Sequence, residues 1–243
     1  MSIDDPARVL VLMDQPLLAE TVALTLNHGR YLARITTAVS EAAALLPEWH
    51  PHLAVIDMDL GDGHILRDLG LARAGGSSTV PVLGMTRRGD LKTKLAAFEQ
   101  GVEDVMTVPF SPEELLARAL VITRRALGTR TSLQPTIRIG EIEIDILNRE
   151  VRAGTSVVHL TGLEQSLLYV LAANAGKVIT QDEILDAVWG SALVAESNFV
   201  DRHIRGLRAK LQNDWRRPRF IETVPGLGYR FISTFTDGPS AGR

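Results

Sequence analysis

The chain is predicted to be an α/β protein: a doubly wound, five-stranded parallel domain followed by a smaller domain of antiparallel strands and helices. Three observations carry that prediction. Short apolar runs alternate five times with helical patterns across residues 8–127, as in a parallel sheet covered on both faces. A polar stretch with Gly128 and Pro135, residues 128–136, then interrupts the pattern and suits a linker. Beyond it, residues 137–235 hold short alternating strands, capped helices and a hairpin. The predicted division is therefore 1–127, a 128–136 linker, 137–235 and a disordered tail at 236–243.

Length and composition agree with this. The 243 residues suit two ordinary domains, and 45% hydrophobic with 23% charged residues is a globular composition. There is no cysteine, which excludes a disulfide framework and thiol chemistry. The start, MSIDDPAR, is acidic and leads into only a short apolar run, so neither a signal peptide nor a membrane span is expected. The expected compartment is the cytoplasm, with no membrane partner.

Residues 8–12 (RVLVL) form the first strand and end at Met13 and Asp14. A helix spans 16–26 and a second strand 31–36. Ser40 is placed to cap a helix over 41–46, before Pro47. LAVI at 53–56 is the third strand, followed by Asp57-Met58-Asp59, a turn at 61–63, a helix over 65–74 and a loop at 75–78. Residues 81–85 form a fourth strand ending at Thr86. A helix over 91–100 closes at Gly101. A fifth strand over 102–108 precedes Pro109-Phe110, and Ser111 can cap the last helix, 112–127. Ligands of such sheets bind at the C-terminal strand ends. Those ends present Asp14, Asp57, Thr86 and Val108, an oxygen-rich set that suits a hard cation such as Mg²⁺, with Asp14 and Asp57 as its carboxylates.

PHLAVIDMDLGDG, VPVLGMT and GVEDVMTVPFSPEELLAR together resemble the receiver domain of two-component response regulators, over about residues 7–127. The resemblance implies Asp57 as phospho-acceptor, Thr86 as switch threonine, and a pocket of Asp14, Asp59 and Thr86. The sequence departs from the pattern in three places. Met13-Asp14 stands where receivers carry two acids, Val108 where they carry a lysine, and Val105 where an aromatic is frequent. A phosphoryl group wants cationic partners. Without the lysine, Mg²⁺ must compensate most of its charge, and Asp14 and Asp57 with no cation repel each other. Poor phosphorylation of Asp57 is the expectation. The resemblance also implies a dimer face, here Lys94, Glu103, Asp104, Glu114, Arg118 and Arg125. Keeping these charges while losing the lysine predicts a homodimer that does not require phosphate. An ordinary solvated face is the plain alternative.

The second half begins with strands at 137–139, 142–146, 151–152 and 157–159. Thr161 with Glu164, and Thr180 with Glu183, are capping boxes for two helices, the second ending near Trp189. A loop at 190–195 leads into NFVDRHIRGLRAKL. On a helix, Val200, Ile204, Leu207 and Leu211 share one stripe. Asn198, Arg202, Arg205, Gly206 and Ala209 lie opposite, flanked by Arg208 and Lys210. Arg216, Arg217 and Arg219 follow, then strands at 220–223 and 229–232 around Pro225-Gly226-Leu227-Gly228. This is a locally positive patch on a chain of net charge −3, and a basic helix with a hairpin suits DNA. An amphipathic surface helix is the plain alternative.

LTGLEQSLLYVL, ITQDEILDAVWG, VDRHIRGLRAKL and IETVPGLGYRF, in that order, resemble the winged helix-turn-helix domain of OmpR/PhoB-type transcription regulators, over about 137–233. The resemblance implies Asn198, Arg202, His203, Arg205 and Arg208 as recognition-helix contacts, and Trp189, Thr223 and Tyr229 as backbone contacts. Against these stand a core role for Trp189, a niche for His203, and pairing of Arg208 with Asp201 or Glu222. Arg216, Arg217 and Arg219 suit phosphates. Gly206 and Pro225 replace two usual readers, so base recognition falls mainly to Asn198, Arg202 and Arg205. Dimers would place recognition helices in successive major grooves, about 10–11 base pairs apart, and the resemblance implies that the sites are direct repeats. RNA polymerase is a further candidate partner, and a sensor kinase is one only if Asp57 is phosphorylated. Asp57-Met58-Asp59 also resembles haloacid-dehalogenase phosphatases, whose later cationic motifs are missing, so no catalysis is expected. A small effector between Met13, Val105 and Val108, and a protein-only adaptor, complete the alternatives.

Overall fold

The computed structural model describes residues 6–28, 31–61, 64–72, 80–127, 136–139, 141–145, 150–189, 198–211, 214 and 216–232. The tail at 236–243, nearly all of the linker, the loops at 75–78 and 190–195, and most of the 61–63 turn lie outside them. The first domain runs β1 (Ala7–Leu12), α1 (Pro16–His28), β2 (Tyr31–Thr36), α2 (Val39–Trp49), β3 (Leu53–Asp57), α3 (Ile65–Asp68), β4 (Val82–Thr86), α4 (Leu91–Gln100), β5 (Asp104–Thr107) and α5 (Pro112–Leu127). The five strands form one parallel sheet in the order β2-β1-β3-β4-β5.

Strand alternation sends neighbouring residues to opposite faces. Val9, Val11, Leu53 and Val55 pack with Leu18, Val22 and Leu26 of α1 and with Leu115, Leu116 and Ile122 of α5. Leu10, Leu12, Ala54 and Ile56 pack with Ala42 of α2, Ile65 and Leu66 of α3, and Ala97 of α4. Both faces are apolar because both are covered. Each fully buried aliphatic side chain contributes about 1.5–3 kcal/mol.

Two helices differ from the sequence expectation. The helix placed at 65–74 is only α3, because Gly70 turns the chain with φ +69°. The helix placed at 41–46 extends to Trp49 with Pro47 inside it. Pro47 falls in the last turn, where its missing N–H forgoes the one helical bond to the Ala43 carbonyl. The cap is not Ser40: the helix starts after Ala38, and Glu41 accepts from Thr36 Oγ1 at 2.6 Å.

The second domain opens with an antiparallel sheet of β6 (Thr136–Ile139), β7 (Ile142–Asp145), β8 (Glu150–Ala153) and β9 (Ser156–Val158). It continues through α6 (Gly162–Ala173), β10 (Val178–Ile179), α7 (Gln181–Trp189), α8 (Phe199–Lys210), β11 (Ile221–Val224) and β12 (Gly228–Phe231). Thr161 and Glu164 form the expected capping box on α6, and Thr180 and Glu183 exchange the corresponding bonds at α7. The strand missed in the sequence is β10. It pairs with β12, making the wing hairpin part of a three-stranded sheet. That pairing brings the Ile179 carbonyl against Gly228 so closely that no Cβ fits there.

The domains pack through α1 and the β5–α5 connection against α6 and α7. Apolar residues of both join one continuous core. Ser166 Oγ of α6 donates to the Phe110 carbonyl, and Gln15 Nε2 donates to Asp186 of α7. Among the described residues, no helix is long and apolar enough to cross a membrane.

Candidate nucleic-acid interface and receiver pocket

The receiver pocket sits at the C-terminal ends of β1, β3 and β4. The structure brings Asp14, Asp57, Asp59 and Thr86 together there, and adds a residue the sequence reading missed. Arg87 directs Nη2 to Asp57 Oδ2 at 2.7 Å and to Asp14 Oδ1 at 2.9 Å. Its backbone N–H donates to Asp59 Oδ2 at 2.8 Å, and Thr86 Oγ1 donates to Asp59 Oδ1 at 2.9 Å. Asp57 Oδ1 accepts from the Asp59 amide at 2.9 Å. The Asp57 side chain is 4% exposed and that of Asp14 50%.

These contacts correct the expectation of a pocket without a protein cation. Val108 is buried and offers no charge, but the Arg87 guanidinium enters from the same edge of the sheet, just past the C-terminal end of the neighbouring β4. The available signal was position: a long cation directly after the last residue of β4. Burial pushes the Asp57 carboxyl up to about 6, while the Asp59 amide and Arg87 pull it down and the charges of Asp14 and Asp59 push it up. Asp57 and Asp14 do not fit Mg²⁺ in this arrangement, because Nη2 lies between the two oxygens the ion would use. Among the described residues, no group of three His, Asp or Glu side chains is arranged for a metal ion.

Met13, Val105 and Val108, the rim of the small-effector pocket held as an alternative, are all buried in the core. A cleft of about 470 Å³ lies along α4, lined by Met58, Asp59, Arg88, Lys92, Thr93 and Gln100.

The charges expected at a dimer face lie on α4, just before and on β5, and on α5, and several hold partners within the subunit. Arg118 bonds Glu114 and Asp104, and Glu103 accepts from the Val82 amide at 2.7 Å. Between them the surface exposes Leu91, Leu95 and Phe98 of α4 and Val121 of α5. Lys94 is half-buried on α4 and Arg125 exposed on α5.

In the second domain, α8 buries Val200, Ile204 and Leu207, with Leu211 just after it, against the core. Arg202, Arg205, Gly206, Ala209 and Lys210 stay exposed. Among the described residues, nothing lies within 4 Å of a Cβ built on Gly206, so that face is open to them. Arg202 donates to Asn198 Oδ1 at 3.3 Å.

Other candidates do structural work. His203 fills a niche between Trp189 and Phe199, with ring centroids at 4.9 and 4.7 Å, and its Nδ1 lies 3.0 Å from the Phe199 carbonyl. Arg208 ties the helix to the wing, donating to the Ile221 carbonyl at 3.1 Å and to Thr223 Oγ1 at 2.9 Å. It also lies over the Tyr229 ring. Tyr229 is buried and donates to Asp201, which also accepts from Gln181 at 2.9 Å. Burial and the Asp201 carboxylate push the Tyr229 phenol up. Arg219 pairs with Glu141 and Lys210 with Glu164. Arg216 and Arg217 are exposed beside the wing, and its tip is apolar, with Leu227 61% exposed.

Two family models match: a response regulator receiver domain over residues 9–120, and the C-terminal domain of transcriptional regulatory proteins over 154–231. The chain is 38% identical over 185 residues to the KDP operon transcriptional regulatory protein KdpE of Escherichia coli, covering 75% of this chain and 80% of that one. The chain belongs to the OmpR/PhoB family of response regulators. KdpE of Mycobacterium tuberculosis is 33% identical over 92% of this chain and 98% of its own. The solved structure of DrrB, a Thermotoga maritima OmpR/PhoB homologue, is 28% identical and covers 94% of this chain and all of its own, with a TM-score of 0.41. This family member is thus a DNA-binding transcriptional regulator, with its receiver first and its winged helix second.

Proposed function

We propose that this regulator binds direct-repeat promoter sites in the cytoplasm as a homodimer, and that its DNA binding does not need phosphorylation of Asp57. The observation that carries the second part is the Arg87 bridge. Asp57 Oδ2 already holds a guanidinium at 2.7 Å, so the carboxylate has its counter-charge without a lysine or a bound metal ion. A buried ion pair is costly to break once made. The dimer is supported by Leu91, Leu95 and Phe98, which follow on one side of α4 and stay exposed. RNA polymerase would be met by the DNA-bound dimer.

Base reading falls to Asn198, Arg202 and Arg205. Arg216, Arg217 and Arg219 meet phosphates, with Arg219 first giving up Glu141. Arg208, Tyr229 and Thr223 hold the wing, and Thr223 is exposed on it for backbone contact. Footprinting of genomic fragments with unmodified protein tests this reading. Tandem protected half-sites support it, and absence of any protected site contradicts it.

A conventional phospho-switch remains as a second reading, favoured by the retained Asp57 and the Thr86 hydroxyl, which share Asp59 as a common neighbour. It would add a sensor kinase as partner. Intact-mass measurement after acetyl phosphate and Mg²⁺ separates the two: an added phosphoryl group on most molecules favours the switch.

A further inference from the structure

We infer that Arg87 is the resident counter-ion of the receiver pocket and that, while seated, it keeps divalent cations out. The argument is an inventory of carboxylate oxygens. Asp57 Oδ1 accepts from the Asp59 amide, and Asp57 Oδ2 from Arg87 Nη2. Asp59 Oδ1 accepts from Thr86 Oγ1, and Asp59 Oδ2 from the Arg87 amide. Asp14 Oδ1 accepts from Arg87 Nη2. Of these six carboxylate oxygens, Asp14 Oδ2 alone has no donor among the described residues.

A Mg²⁺-like ion needs near-octahedral oxygen ligands at about 2.0–2.1 Å. The place where Asp14 and Asp57 could supply two of them is filled by a nitrogen that is itself positive. An entering ion must therefore expel the guanidinium, and a half-expelled guanidinium repels it.

The backbone aims this side chain. The Arg87 amide is fixed on Asp59, one residue beyond Thr86, so the guanidinium folds back over the pocket and its side chain is only 19% exposed. Among the described residues, Nε is buried without an acceptor, and Nη2 makes the bonds to both carboxylates. Loss of the side chain frees both Asp14 Oδ1 and Asp57 Oδ2 at once. A shorter neutral residue there converts the pocket from one that excludes a divalent ion to one that accepts it.

The inference rests on the same ion pair as phosphorylation independence, but its readout involves no phosphodonor and no DNA. Mn²⁺ binding to the full chain is followed by the loss of the free-ion electron paramagnetic resonance signal, with Mg²⁺ as competitor. Wild type, Arg87→Ala and Arg87→Ala/Asp57→Asn are compared. The expected result is no saturable site in wild type at millimolar Mn²⁺. Arg87→Ala gains a single saturable site within that range, and Asp57→Asn removes that gain. Arg87→Gln replaces Arg87→Ala if the latter fails to fold. A wild-type site that Asp57→Asn abolishes overturns the inference, and so does a folded Arg87 variant that gains nothing. Failure of the phosphorylation-independent reading with the Mn²⁺ result intact would leave Arg87 as the counter-ion of a pocket that is phosphorylated nonetheless.

Discussion

At the scale of single residues, like side chains on one helix have different jobs. Arg205 is exposed on the open face of α8, whereas Arg208 is half-buried and bonded to Ile221 and Thr223. Arg205→Ala should weaken specific DNA binding by about 1–3 kcal/mol if it reads a base, and leave the melting temperature unchanged. Arg208→Ala should cost about 1–3 kcal/mol of stability, since the buried Ile221 carbonyl loses a charged donor. Titration against an operator fragment beside a thermal melt distinguishes them, and equal effects in both assays would contradict the division. The helical periodicity of the sequence placed both arginines near the DNA face but could not tell them apart. The difference comes from a wing that packs onto α8 from thirteen residues further along the chain. Arg87 was hidden for a related reason. Its partners lie 73 and 30 residues away, and the family pattern directs attention to Val108 instead.

At the scale of elements, the strands were legible because a two-sided parallel sheet demands continuous apolar runs. The helices were legible where a cap residue stood at the right spacing, as at Thr161 and Thr180. The two-residue β10 was not, since it exists only through pairing with β12. That pairing leads to a prediction. Gly228→Ala must push the wing away from the Ile179 carbonyl, and should cost about 1–3 kcal/mol, measured by chemical denaturation. A neutral effect would mean that the wing does not seat on β10.

A second element-scale prediction concerns the start of β1. His52 Nδ1 accepts the Arg8 amide at 2.9 Å, which only the unprotonated nitrogen can do. Burial, with help from the Arg8 charge, lowers the His52 pKa below its ordinary 6.5. The unfolded chain therefore takes up the proton first on acidification. The stability contribution is full above pH 6.5 and is lost as pH falls below it toward the folded value. His52→Asn should flatten the melting temperature against pH across that window. An unchanged slope would remove His52 as its source.

At the scale of the whole molecule, the two domains share a core through α1 and α6, a junction that neither domain's own pattern announces. The family resemblance defined each domain separately, and the residues that join them, Phe110, Ser166, Gln15 and Asp186, look ordinary in the sequence. The junction also carries unsatisfied groups: among the described residues, the Tyr169 hydroxyl, Gln15 Oε1 and Asp186 Oδ1 are buried without hydrogen-bond partners. Tyr169→Phe removes one of these while keeping the ring, so it should raise stability or leave it unchanged, whereas Tyr169→Ala should cost about 3–5 kcal/mol. A loss of stability in Tyr169→Phe would show that the hydroxyl is bonded in solution.

Symmetry adds a constraint on the docked arrangement. Two receivers paired across a two-fold axis carry identically docked winged helices as two-fold mates, whereas direct repeats need them head to tail. On tandem sites, at least one winged helix must leave its receiver. Amide protection along α1 and α6 should then fall on DNA binding, and undiminished protection would favour inverted sites. The measurement that bears most directly on the proposed control is operator affinity of wild type and Asp57→Ala, each with and without acetyl phosphate and Mg²⁺. All four values should agree within a few-fold. A tenfold gain with the phosphodonor that Asp57→Ala abolishes would contradict phosphorylation independence and establish an ordinary phospho-switch.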